Sequence, residues 1–174
     1  MWSSLYWVSL LHAIAESPLQ KGELWTGSDD STVQLTRDGG KTWQHMGLKE
    51  TERVSAIAIN PQNPDVVYIG ALGHAFGPNE ERGVFMTTDG GKTWSSAFGF
   101  GGDNHALWIN PNDSEHLILG HDHGMGVSFD AGRTWLSPDN KPLAQFYAVG
   151  YDMERPYNVY GGLQDNGSLR GPST

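Results

Sequence analysis

The chain has no cysteine in its 174 residues, which excludes disulfides, thiolate metal sites and cysteine nucleophiles while leaving the compartment open. It is also poor in basic residues. Eleven Lys and Arg stand against twenty Asp and Glu, and the resulting net charge of −9 repels a phosphate backbone, which speaks against nucleic acid as a partner. No apolar run is long enough to span a membrane. Leu5 to Ala15 is largely apolar and ends in Ala13-Ile14-Ala15, which imitates a signal-peptidase site. No Lys or Arg precedes it, however, so the segment reads as a mature strand rather than a leader.

What the chain does have is glycine, proline and tryptophan. Its 23 Gly and 9 Pro are spread along the sequence rather than clustered, which suits many short strands joined by tight turns and argues against a helical protein. Seven Trp among 37% apolar residues supply enough bulky side chain for a packed core, so disorder is a poor reading.

Three octads repeat the pattern hydroxyl-x-Asp-x-Gly-x-Thr-Trp: Thr36 to Trp43, Thr87 to Trp94 and Ser128 to Trp135. Their aspartates, Asp38, Asp89 and Asp130, are 51 and 41 positions apart, a period that indicates one supersecondary unit per repeat. An apolar run stopped by proline precedes each octad: Ala13 to Pro18, Ala56 to Pro61 and Ala106 to Pro111. A second apolar run ending in glycine follows: Leu24 to Gly27, Val67 to Gly70 and Leu117 to Gly120. A third short strand leads into the octad, and the octad's Trp opens a fourth. Each period therefore predicts four antiparallel strands, the content of one β-propeller blade, which must stack on neighbours to bury both faces. The expected fold is all-β, a partial propeller of about three and a half blades within a single domain. Blades are expected near 5–46, 53–97 and 104–137, with a half blade at 145–170 that lacks an octad.

Within the octad the chemistry is local. An Asp at the head of a tight hairpin accepts backbone N–H groups one or two residues on and closes an Asx turn. Gly40, Gly91 and Gly132 supply a left-handed backbone conformation. Trp43, Trp94 and Trp135 are expected to plug the space between blades, with each indole N–H finding a backbone acceptor. Thr42, Thr93 and Thr134 complete the pattern. Three copies of one Asp are better explained by three identical turns than by three active sites.

These octads resemble the Asp-box, or bacterial neuraminidase repeat, of sialidases, xyloglucanases, photosystem assembly factors and sortilin-type propellers. The passages AESPL, VQLTRDGGKTW, ALGHAFGPNEERGVF, HALWINPND and DMERPYNVYGGLQDNGSLRGPS are similar to large bacterial proteins of sortilin-like or glycosyl-hydrolase-like type. The resemblance implies a propeller of many more blades, with GGLQDNGS upstream of AESPL rather than at the end of the chain. A fragment, a rearranged gene or a piece that completes its ring by self-association is therefore expected. Full-length proteins of this kind imply export to the periplasm or the cell exterior. The resemblance bears strongly on fold and weakly on activity.

In such blades the Asp box is a 3–4 turn and marks the structural face. The family's functional sites lie opposite, on the open face with the 2–3 turns and the blade links. That face gathers Asp103 and His105 at the start of the third blade, the run His121-Asp122-His123 at its 2–3 turn, His74 in the long Gly73 to Arg82 loop, and Gln164 and Asp165 in the last turn. The His-Asp-His run near another Asp and His has the residue types for a divalent metal, although alternate residues in a turn need not converge and ordinary loop residues are the default. No other cofactor is expected. The leading functional expectation is a non-catalytic module, a scaffold or a binder of a peptide, protein or glycan. The alternative is a glycoside hydrolase acting on a β-glucan or xyloglucan-type polysaccharide. That chemistry needs two facing carboxylates, and spacing selects no pair among Asp29, Asp30, Glu80, Glu81, Asp103, Asp122 and Asp165. A sialidase is a poorer fit, because that chemistry resembles a cluster of three arginines gripping a carboxylate, and of the six here Arg37 and Arg133 lie inside Asp boxes and Arg155 in a 1–2 turn.

Overall fold

The apolar runs and glycine-marked turns become fourteen short strands and, among the described residues, no helix. The computed structural model describes residues 10–74, 76–77, 80–97, 104–122, 124–138, 146–163 and 167–174. Sheet 1 contains β1 (Leu11–Glu16), β2 (Leu24–Ser28), β3 (Val33–Thr36) and β4 (Gln44–His45). Sheet 2 contains β5 (Val54–Ile59), β6 (Val67–Ala71), β7 (Gly83–Thr87) and β8 (Ser95–Ser96). Sheet 3 contains β9 (Asn104–Asn110), β10 (Asp113–His121) and β11 (Gly124–Ser128), and a single bridge from Val127 to Leu136 stands where a fourth strand would pair. Sheet 4 contains β12 (Phe146–Tyr151), β13 (Asn158–Leu163) and β14 (Ser168–Pro172), so it has three strands where half a blade would hold two. Every pairing is antiparallel between consecutive strands, the meander of a propeller blade.

The chain divides into two compact units, Met1–Pro138 and Asp139–Thr174. Within the first, strand alternation gives each sheet a trailing face, met by the next sheet, and a leading face, which meets the one before. The trailing face of sheet 1 (Ala13, Trp25, Val33, Leu35, Met46) and the leading face of sheet 2 (Ile57, Ile59, Val67, Ile69, Trp94) form one apolar cluster. The trailing face of sheet 2 (Ala58, Tyr68, Val84, Met86, Ala97) and the leading face of sheet 3 (Leu107, Ile109, Leu117, Leu119, Trp135) form a second. Trp25 and Tyr68 occupy the same register position and are almost wholly buried at the centre of their joints. The Ser55 hydroxyl donates to the Asn104 carbonyl and ties β5 to β9.

Two octad tryptophans are the expected plugs. Trp94 meets Trp25 edge to face at 6.2 Å and donates its indole N–H to the Met46 carbonyl at 2.6 Å, and Trp135 reaches the Ala97 carbonyl at 3.5 Å. Trp43 departs from the expectation. It is 42% exposed and its N–H turns back to Gly40 O within its own turn at 3.1 Å, because no preceding sheet lies against it among the described residues.

Candidate functional site

The octads are turns between the third and fourth strands, and the three copies are nearly superimposable in their bonding. In the first, Asp38 Oδ1 accepts the N–H groups of Lys41 and Thr42, each at 2.9 Å, while Oδ2 accepts the Thr42 hydroxyl at 2.6 Å. The carboxylate thus grips residues three and four positions on, not one or two as an Asx turn would. The nearer amides are already taken: Thr36 Oγ1 accepts the N–H groups of Asp38 and Gly40 and donates to Asp38 Oδ1, and Gly39 N–H donates to the Gly22 carbonyl. Asp89 with Thr87 and Thr93, and Asp130 with Ser128 and Thr134, repeat the arrangement. Gly40, Gly91 and Gly132 all have φ between 84 and 89°, and the residue before each is also left-handed: Gly39, Gly90 and, without glycine's freedom, Ala131 at 59°. Donation by the Thr42 hydroxyl, then by Thr42 N–H and the Thr36 hydroxyl, lowers the Asp38 pKa to about 2. Asp130 falls to about 2 with the Thr134 hydroxyl as the largest cause, and Asp89 is lowered in the same way by Thr93. Carboxylates held ionised and fully engaged in their own turns are poor proton donors and poor nucleophiles.

Sequence reasoning missed the pins at the 1–2 turns. Ser17, Asn60 and Asn110, each followed by proline, cap those turns by accepting backbone N–H groups from Gln20, Gln62 and Asn112. In sheet 4 Asp152 takes the same place. It accepts the backbone and side-chain N–H groups of Asn158, both at 2.9 Å, and the Tyr160 hydroxyl at 2.8 Å, and its pKa is lowered to about 2, the Asn158 backbone contributing most. The signal was a polar residue closing each apolar run, visible in all four periods. A cavity of about 420 Å³ beside this turn, lined by Val149, Tyr151, Met153, Tyr157 and Val159 among others, was also not anticipated.

The opposite ends of the sheets carry the 2–3 turns, where the sequence placed its ligand candidates. His105 on β9 and Asp122 after β10 are brought together, with Nε2 and Oδ1 2.6 Å apart and both side chains about half exposed. His121 closes β10 opposite Asn104 in the adjoining register pair. His74 lies in the sheet 2 loop instead, where its Nδ1 is 3.5 Å from Glu81 Oε2 and Arg82 clamps the loop by donating to the carbonyls of Leu72 and His74. Asp103, His123, Gln164 and Asp165 lie outside the described residues. Among the described residues no group of three or more His, Asp or Glu side chains converges as a metal site would require.

Two further open-face carboxylates, Asp29 and Asp30, are engaged with their own loops. Asp29 Oδ1 accepts Leu10 N–H at 2.8 Å, and Asp30 Oδ1 accepts the hydroxyls of Ser28 and Thr32.

Hydroxyl, aspartate, glycine, threonine and tryptophan at fixed offsets around a pinned 3–4 turn match the family model described as BNR/Asp-box repeat at residues 34–45 and 85–96. These turns are Asp boxes. Of known proteins, the chain is 28% identical over 152 residues to a probable oligoxyloglucan-reducing end-specific xyloglucanase of Neosartorya fischeri, a match covering 84% of this chain and 18% of that protein. It therefore spans under a fifth of that relative's length. An ancestral GH74 enzyme superposes with a TM-score of 0.65 at 19% identity, covering 92% of this chain and 22% of the other. YCF48 bound to D1 peptide superposes with a TM-score of 0.66 at 15% identity, covering 95% and 52%. The chain is all-β, a partial β-propeller with Asp-box 3–4 turns.

Proposed function

We propose that this chain is a non-catalytic propeller module that binds a glycan or a peptide on the face bearing the 2–3 turns, centred on His105 and Asp122. The observation that carries this reading is the employment of the carboxylates. Asp38, Asp89 and Asp130 are consumed by their turns, and Asp29, Asp30 and Asp122 are each engaged by a neighbour in their own sheet. Glycoside hydrolysis needs one carboxyl free to protonate and another to attack or activate water across a cleft. Binding needs only preoriented polar groups on a rigid scaffold, and a half-exposed imidazole–carboxylate pair can meet sugar hydroxyls or backbone amides with both partners.

Glycan and peptide are both supported by likeness. The Neosartorya fischeri relative is named for action on oligoxyloglucan, and the YCF48 structure holds a peptide. The second reading, a hydrolase of xyloglucan-type polysaccharide, is favoured by the first of these, which covers most of the chain. Isotope-edited NMR titration with xyloglucan oligosaccharides and with a peptide panel tests the proposal, alongside an assay for new reducing ends. Shifts confined to residues near His105 and Asp122, lost in Asp122→Ala, with no reducing ends released, are expected. Release of reducing ends would establish the hydrolase instead.

A further inference from the structure

The first unit builds one joint twice. At each, a leading face bearing an aliphatic residue on its innermost strand and an octad Trp settles on a trailing face centred on a large aromatic: Ile57, Ile59 and Trp94 on Trp25, then Leu107, Ile109 and Trp135 on Tyr68. Sheet 1 carries the same leading face. Ile14 stands at the register position of Ile57 and Leu107, and Trp43 at that of Trp94 and Trp135. Yet Ile14 is 63% exposed and the Trp43 N–H has only its own turn to donate to.

Two positions differ in kind: Thr26 stands where sheets 2 and 3 have Ile69 and Leu119, and the second carries a charge. Where sheets 2 and 3 place Ile59 and Ile109 inside the joint, sheet 1 places Glu16, an exposed acid. The fourth sheet differs in the complementary way. Its trailing face has Tyr160 at the position of Trp25 and Tyr68, and beside it Arg170 where sheets 1 and 2 have Leu35 and Met86. The Arg170 guanidinium carbon lies 5.7 Å from the centre of the Tyr160 ring, and the Tyr160 hydroxyl is anchored by Asp152. A leading face with an acid in place of isoleucine and a trailing face with a base in place of leucine are opposite in charge.

We infer that the leading face of sheet 1 is a docking surface for the trailing face of sheet 4 of a second copy of this chain. Tyr160 fills the place Trp25 holds in the internal joint, Ile14 and Trp43 pack against it, and Glu16 pairs with Arg170 across the contact. The association is head to tail, so it extends to a closed ring or to a longer row according to the rotation between copies. Sheets of this size present faces only about 20 Å on a side. The joint therefore lies at the small end of specific interfaces, and association is expected in the micromolar range.

Sedimentation velocity on the full chain, from about 1 to about 500 µM, tests this. The wild-type protein is expected to move from monomer to dimer or larger species across that range, with weaker association at high salt. Glu16→Arg and Arg170→Glu, both at exposed positions, are each expected to weaken association by about tenfold through like-charge contact. The double exchange restores it, with circular dichroism confirming the fold throughout. Phe76→Ser, in the sheet 2 loop, leaves it unchanged. A wild-type chain that stays monomeric at the top of the range, as it would with a segment of its own chain seated on Ile14, overturns the inference. So do single variants without effect, or a double exchange no better than the single variants.

Discussion

The indole N–H of Trp94 donates to the carbonyl of Met46, 48 residues earlier and one sheet away. The Asp box is commonly seen as a hairpin device, but here its last residue is also the bolt between blades. Trp94→Phe keeps most of the ring but strands the Met46 carbonyl in a largely buried joint. It is expected to cost about 1–3 kcal/mol of stability for the unmade bond alone. Trp43→Phe, at an exposed ring bonded to its own turn, should change stability by no more than about 0.5 kcal/mol. Urea unfolding of the two variants measures the difference, and equal losses would place the tryptophans' contribution within the turn rather than between sheets.

The fifth-position glycines of the octads separate backbone strain from packing. A Cβ on Gly40 would meet only the Trp43 ring at 3.8 Å, and on Gly132 nothing closer than 3.5 Å. On Gly91 it would stand 2.7 Å from Trp25 and 2.9 Å from Met46. All three have left-handed φ, so Ala at any of them carries a strain of about 1–2 kcal/mol. Gly91→Ala adds overpacking of a further ~1–3 kcal/mol. Thermal denaturation should therefore rank Gly91→Ala well below the other two, which should resemble each other.

Ala131 is the converse case, a residue with a side chain in a left-handed position that the other octads give to Gly39 and Gly90. Ala131→Gly removes that strain at some cost in unfolded-chain entropy. A net stabilisation of up to about 1 kcal/mol is expected by chemical denaturation.

Acid should loosen the protein in a defined window. The folded-state pKa values of Asp38, Asp130 and Asp152 lie near 2, below the ordinary 3.8, because hydrogen bonds favour their charged forms. Groups with depressed folded pKa bind more protons when unfolded, so their stabilisation is complete above about pH 4 and fades as pH falls towards 2. Melting temperature measured from neutrality downwards should be flat with respect to these groups until about pH 4 and then decline. Removing one Asp by substitution should make the remaining decline shallower.

Most of the fold could be read from the residues because propeller blades are written in local signals. Strand lengths, proline stops and the three octads fall where the sheets have them. The bonding inside the octad was less legible, since Thr36, Thr87 and Ser128 take one near amide, carbonyls of the 1–2 turns take the other, and the Asp grip moves two residues further on. The exposed Trp43 was also missed, because its octad is identical in type to the other two and only its place in the row of sheets distinguishes it. His105 and Asp122 were both placed on the open face by their positions in the third period, yet their contact depends on the register in which β9 pairs with β10, which spacing does not reveal. The pairing of His74 with Glu81 is a loop contact with no periodic signal behind it.

The account rests on the three octad aspartates acting in three separate bends rather than at one shared site. Urea unfolding of Asp38→Ala, Asp89→Ala and Asp130→Ala, singly and combined, tests this most directly, because losses at distant independent sites add whereas residues of one cluster do not. Each single variant is expected to lower stability, and the triple variant to lose the sum of the three. Single variants as stable as the wild type, or a triple variant no worse than one of them, would contradict it.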